Sequence, residues 1–142
     1  MQNIRDILRK KGTAVWSVAL DDTVLEAIRR LDEHGVGALL VLNGAKLVGL
    51  FSERDYTRKV VLKGLRSRDT QVGTVMSAPV LTISPDATVQ QGLSKMTEKY
   101  IRHLPVTDDS GVVGVVSIGD LVKAVIEDQE ALIEQLERYI TG

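Results

Sequence analysis

The chain has 142 residues, 44% of them apolar and 26% charged, with a net charge of −1. A pI near 6.1 lacks the basic excess of a general nucleic-acid binder, and the absence of cysteine excludes disulfides, thiolate catalysis and cysteine-ligated zinc. Met1 to Asp6 has no signal-peptide apolar run, and no stretch approaches the roughly 18 apolar residues of a membrane span, so the expected location is the cytoplasm.

In chain order, Ile4 to Leu8 opens a short N-terminal helix, and Arg5, Arg9, Lys10 and Lys11 read as its solvated face. Val15 to Val18 is a short strand. Asp21-Asp22-Thr23 offers an N-cap, and Val24, Ala27, Ile28 and Leu31 fall on one helical face. Two apolar runs follow, Ala38 to Leu42 and Leu47 to Phe51. Asn43-Gly44 joins them, a hairpin signal because both residues tolerate positive φ. A second helix starts at Ser52, and a polar, glycine-containing linker spans 63–71.

The sequence then repeats. Shifted by 65 residues, Val15–Val61 matches Val80–Ile126 without a gap, with twelve identities in 47 positions. The segment ahead of each copy also matches, at a shift of 68: Ile4 to Leu8 against Val72 to Met76. Self-similarity at a fixed period means one structural unit used twice. The expected class is α+β, with two β-α-β-β-α repeats. The expected boundaries are 1–62 for the first repeat with its N-terminal helix, 63–71 for the linker and 72–126 for the second repeat. An amphipathic C-terminal helix takes 127–142.

The sharpest matched feature closes the third strand of each copy. One reads Gly49-Leu50-Phe51-Ser52-Glu53-Arg54-Asp55, the other Gly114-Val115-Val116-Ser117-Ile118-Gly119-Asp120. Ser-x-x-Asp at a helix start is a capping-box variant, with the aspartate at the positive end of the helix dipole. The same turn also aims backbone N–H groups and a hydroxyl at an anion, while a carboxylate three residues on can accept both hydroxyls of a ribose. Both readings stand on these residues alone.

With the repeat order, both Gly-x-x-Ser-x-x-Asp segments and Val75-Met76-Ser77-Ala78-Pro79-Val80 opening the second unit, the chain resembles a tandem CBS-domain pair, or Bateman module, from about Ile4 to Ile126. The resemblance implies two units packed about a pseudo-twofold axis, with clefts that bind an adenosine ligand. AMP is the first expectation, with ADP, ATP, NAD and S-adenosylmethionine as alternatives. It implies that Asp55 and Asp120 hold riboses and that Ser52 and Ser117 help hold phosphate. Trp16, Ser17 and Val18 flank one base, and Leu81, Thr82 and Ile83 the other. Val36, Gly37 and Ala38, and Ile101, Arg102 and His103, line the opposite side.

The two sites are unequal. Arg102 and His103 stand where the first copy has Gly37 and Ala38, and arginine is the natural phosphate fork. The first copy carries Arg54 and Arg58, and Arg54 is expected to reach a phosphate bound mainly by the other copy. Lys59 and Lys11 are further cations for a longer phosphate chain. Pro105 in the second strand suggests an edge or bulge beside the cleft, since proline cannot donate to a ladder. Trp16 suits a core slot as well as base stacking. His34 and His103 do not occupy matched positions and read as surface or packed residues.

No metal-ligand cluster, nucleophile–base pair or glycine-rich phosphate loop stands out, so no enzyme, metal or catalytic cofactor is expected. Leu132, Ile133, Leu136, Tyr139 and Ile140 share one helical face near the C-terminus. Such a stripe must pack on something, and a homodimer of four repeats is expected. The expected function is an adenine-nucleotide-binding regulatory module acting in trans on an unidentified partner. The alternative is a ligand-free CBS-pair interaction or oligomerisation protein. One argument separates them: burying Arg102 and His103 without an anion would be costly.

Overall fold

The computed structural model describes residues 1–141. Its contacts divide the chain into two bodies, Val15–Leu81 and Met1–Ala14 together with the chain from Thr82 onward. This division differs from the sequence boundaries. The N-terminal helix, assigned by sequence to the first repeat, packs with the second, and residues 72–81 pack with the first.

In the first body, β1 (Ser17–Ala19) pairs in parallel with β2 (Ala38–Asn43), which pairs antiparallel with β3 (Lys46–Ser52). The helix α2 (Val24–His34) is capped by Thr23, whose side chain accepts from Glu26 N, and it ends at Gly35 in the left-handed region at φ 61°. Val24, Ala27 and Leu31 turn their stripe onto Val18, Leu39, Val41 and Phe51 to form the core. The helical turn α3 (Glu53–Asp55) runs directly into a π-helical turn, Tyr56–Val61. The predicted linker is not loose: Thr70 and Ser67 carbonyls accept from the first N–H groups of α2, Val24 and Leu25.

In the second body, α4 (Val89–Lys99) starts in a complete capping box of Thr88 and Gln91. The strands β4 (His103–Asp108) and β5 (Gly111–Ser117) form an antiparallel pair whose register irregularity, between Val106 and Thr107, mirrors that between Val41 and Leu42. The predicted strand Val80–Ile83 is reduced to a bridge, Ile83 with Val106. The reason is a pair of prolines. In the first body Leu40 N donates to Trp16 O and Leu20 N to Leu42 O, both at 3.0 Å, but the residues matching Leu40 and Leu20 are Pro105 and Pro85, which have no N–H. What survives is Ile83 N to Pro105 O and Thr107 N to Ile83 O.

No separate helix begins at 127: α5 (Ile118–Thr141) is one continuous helix of 24 residues that runs through that position, since neither glycine nor proline interrupts it after Gly119. Leu121 and Ala124 are its buried residues.

The leader segments are exchanged between repeats in matching register. In α1 (Ile4–Lys11), Ile4 N donates to Ala87 O and Arg5 N to Pro85 O. At the matched positions Val72 N donates to Asp22 O and Gly73 N to Leu20 O. The leaders differ beyond that point. Asn3 and Asp6 form a capping box, and the good helix formers Leu8 to Lys11 continue α1. Val72–Thr74 makes a single 3-10 turn instead. Val75 is β-branched and Pro79 biases Ala78 toward extended backbone, so the chain runs on to pair Ser77 with Leu50.

Candidate functional site

Each Ser-x-x-Asp segment is a real helix cap. Ser52 N donates to Asp55 Oδ2 at 3.0 Å, and Asp55 N to Ser52 Oγ at 3.1 Å. Ser117 N donates to Asp120 Oδ2 at 2.8 Å, and Asp120 N to Ser117 Oγ at 3.2 Å. The strand pairing sets Ala38 opposite Ser52 and His103 opposite Ser117. Glu53 N donates to Gly37 O and Ile118 N to Arg102 O, tying each turn to the start of the neighbouring strand. The structure therefore brings together Gly37, Ala38, Ser52 and Asp55 in one body, and Arg102, His103, Ser117 and Asp120 in the other.

The caps are alike but the carboxylates are not. Asp55 is buried, 7% exposed. Its Oδ1 accepts from Ser77 Oγ at 2.8 Å and lies 3.0 Å from Lys59 Nζ, while Oδ2 takes the cap and the Ser52 hydroxyl. Both oxygens are thus engaged by protein groups. The Asp120 side chain keeps 24% of its surface, and its cap and its ion pair with Lys11 both fall on Oδ2. Among the described residues, no hydrogen bond to its Oδ1 is found.

Charge follows the same division. Burial holds the Asp120 carboxyl up, but the hydrogen bonds from Lys11 and Ser117 and the Lys11 charge outweigh it and leave its pKa below the ordinary value. Burial of His103 pushes its pKa down, helped by Lys11 and Arg102 and opposed by Asp120.

The remaining predicted residues divide by burial. Val18, Ile83 and Pro105 have their side chains in the cores, so only their backbones can face a ligand. The Ser17 and Thr82 carbonyls are taken by matched cations on the next helix, Arg30 at 2.7 Å and Lys95 at 2.5 Å. Arg54 and Ile101 are half-buried and Arg58 is exposed. Arg102 is exposed, so the argument from burying it without an anion does not hold; only His103 is partly buried. Trp16 is 41% exposed and lies flat on His34, ring centroids 3.7 Å apart, which rules out a core slot and gives His34 a packing partner.

A groove of about 480 Å³ opens in the first body beside Gly37, lined by Ile28, Val36 and Tyr56. Its charged lining residues are Asp32 and Glu53, which repel a phosphate. Among the described residues no cluster of potential metal ligands is found, and no helix is long and apolar enough to cross a membrane. Ser77 and the Lys11–Asp120 pairing were not legible in the sequence, because both arrive through the leader exchange.

Comparison with known proteins agrees with this architecture. The chain is 37% identical to the mitochondrial CBS domain-containing protein CBSX3 of Arabidopsis thaliana, over 98% of this chain and 72% of the relative. A solved CBS-domain structure from Burkholderia ambifaria MC40-6 superposes with a TM-score of 0.86 at 41% identity, covering 90% of this chain and 96% of that one. A hexameric CBS-CP12 protein from bloom-forming cyanobacteria shares the fold alone, at 21% identity and TM-score 0.77, over 86% and 70% of the two chains. The CBS domain family matches twice, over residues 4–62 and 72–127, and the chain therefore belongs to the CBS domain family as a CBS-pair protein.

Proposed function

We propose that this CBS pair is a non-catalytic regulatory module that binds an adenine nucleotide, AMP first among the candidates, at the second repeat. The observation that carries this reading is the inequality of the two aspartates. Asp55 is closed off by Ser52, Ser77 and Lys59. Asp120 offers a partly exposed carboxylate oxygen to a ribose diol, beside the Ser117 turn, His103 and the exposed Arg102. The Ser117 hydroxyl and Arg102 supply phosphate-binding chemistry. The first repeat, with Ser17, Gly37, Ala38, Ser52 and Asp55, is the weaker site.

A thermal-shift screen with adenosine, AMP, ADP, ATP, S-adenosylmethionine, NAD and GMP tests this directly. A ligand at about 100 times its dissociation constant adds about 2.7 kcal/mol of stability. The expected result is a rise with adenine nucleotides that disappears in Asp120→Ala and survives in Asp55→Ala, provided each variant is folded. A flat response across the panel overturns the reading.

The flat response would favour a ligand-free interaction protein, which the two complete capping boxes also suit. In either case α5 needs a partner. Ile126, Leu132, Ile133, Leu136, Tyr139 and Ile140 are about half exposed or more. We assign this face to a homodimer contact, and regulation to an effect in trans on another protein, in the cytoplasm. Light scattering of Leu132→Glu/Leu136→Glu should show the loss of a dimer present in the parent chain; an unchanged mass removes that assignment.

A further inference from the structure

Lys11 is the last residue of α1, and the leader exchange delivers it to the second repeat. Its ammonium lies 2.5 Å from Asp120 Oδ2, with the two side chains 36% and 24% exposed. The second repeat has no lysine of its own for this task. Lys59, which pairs with Asp55 from within the first repeat, is matched by Ala124, a buried residue of α5. Lys11 is also not needed for the turn. The Ser117 N–H and hydroxyl complete the cap without it, and a partly exposed ion pair of this kind contributes little to stability.

An imported cation thus rests on a carboxylate that is already capped, near His103, whose proton affinity it lowers. We propose that Lys11 is an exchangeable phosphate ligand that makes the second site select nucleotides over nucleosides. This inference rests on the nucleotide reading above. In the free chain Lys11 neutralises Asp120. A ribose diol that donates one hydroxyl to Oδ1 and the other to Oδ2 competes with the ammonium for Oδ2 and displaces it, and the flexible four-carbon stem lets the lysine turn to the ligand's phosphate. A nucleoside breaks the same ion pair and returns nothing to the lysine. A nucleotide replaces it with a charge-assisted bond to an anion of higher charge.

The test is isothermal titration of the full chain and of Lys11→Met with AMP and with adenosine, with thermal unfolding as a check on folding. Methionine keeps the apolar stem and removes the charge. The parent chain should prefer AMP. Lys11→Met should bind AMP about tenfold more weakly or worse, and adenosine at least as tightly, so that the preference collapses. Lys11→Arg should retain it. Equal weakening of both ligands, or a preference that survives in Lys11→Met, overturns the role of Lys11 while leaving the nucleotide site intact. If the parent chain binds neither ligand, the nucleotide reading itself fails, and the Lys11 role with it.

Discussion

Leu8 seals Gly114: a Cβ on that glycine would lie 2.7 Å from Leu8 Cδ2. Met76 covers Gly49 in the same way, its Sδ 2.5 Å from where a Cβ would stand. Position 8 matches 76 at a shift of 68 and position 114 matches 49 at 65, yet each contact joins the leader of one repeat to the third strand of the other. The paired Gly-x-x-Ser segments thus keep their glycines so that an exchanged leader can approach the sheet.

Leu8 is 5% exposed and belongs to the core of the second body. Leu8→Ala should destabilise the chain by about 2–5 kcal/mol through the cavity it leaves. Amide exchange should speed up in β5 and α5, not in β2 and β3. Loosening of the first body instead would contradict the leader exchange.

The two glycines should not respond equally to alanine. At Gly49 a methyl also meets the Ser77 carbonyl oxygen at 3.1 Å, which is backbone and cannot rotate away. At Gly114 all three nearest atoms belong to the Leu8 side chain. Gly49→Ala should cost about 1–3 kcal/mol by overpacking, and Gly114→Ala less. Urea unfolding of the two variants checks the order.

Removing the two aspartates should separate structure from binding. Asp55→Ala leaves Ser77 Oγ and the Ser52 cap donors without their acceptor at a partly buried position, an expected loss of about 1–3 kcal/mol. Asp120→Ala removes a cap partner that is more exposed than Asp55 and should lose about 1 kcal/mol or less. Denaturation midpoints decide this before any ligand is added.

His103 should make stability depend on pH near neutrality. Its pKa is lowered in the folded chain, first by burial and then by Lys11, while the unfolded chain titrates near the ordinary value of 6.5. Below 6.5 the unfolded state therefore binds more protons, so stability is full above that pH and falls as the solution is acidified through the lowered pKa. Thermal midpoints from pH 5 to 8 should rise with pH, and His103→Gln should flatten the rise. Asp120, whose pKa is also lowered, adds a loss in the same direction only below about pH 4.

Much of the molecule was legible in the residues. Thr23, Thr88, Ser52 and Ser117 cap helices where local chemistry says they must, because a cap involves only residues three apart. The hairpin and the repeat itself are likewise patterns within the chain, although the hairpin turns at Gly44-Ala45 rather than Asn43-Gly44, with Asn43 still paired to Lys46 in the ladder and only Gly44 at positive φ. Pro105 even announced the weakened ladder, since a missing N–H is a covalent fact; that it would erase the strand at Val80 depended on which carbonyl stood opposite.

What the sequence determined by itself is local or periodic: the caps, the stripes, the αβ unit and its duplication. What tertiary structure decided is which surface each leader covers, and so which carboxylate is filled. Ser77 reaches Asp55 because its leader runs extended. Lys11 reaches Asp120 because its leader stays helical. The contacts span 22 and 109 residues. Dispersion and burial act between whatever surfaces meet, and no spacing along the chain records which of two similar grooves a leader will occupy.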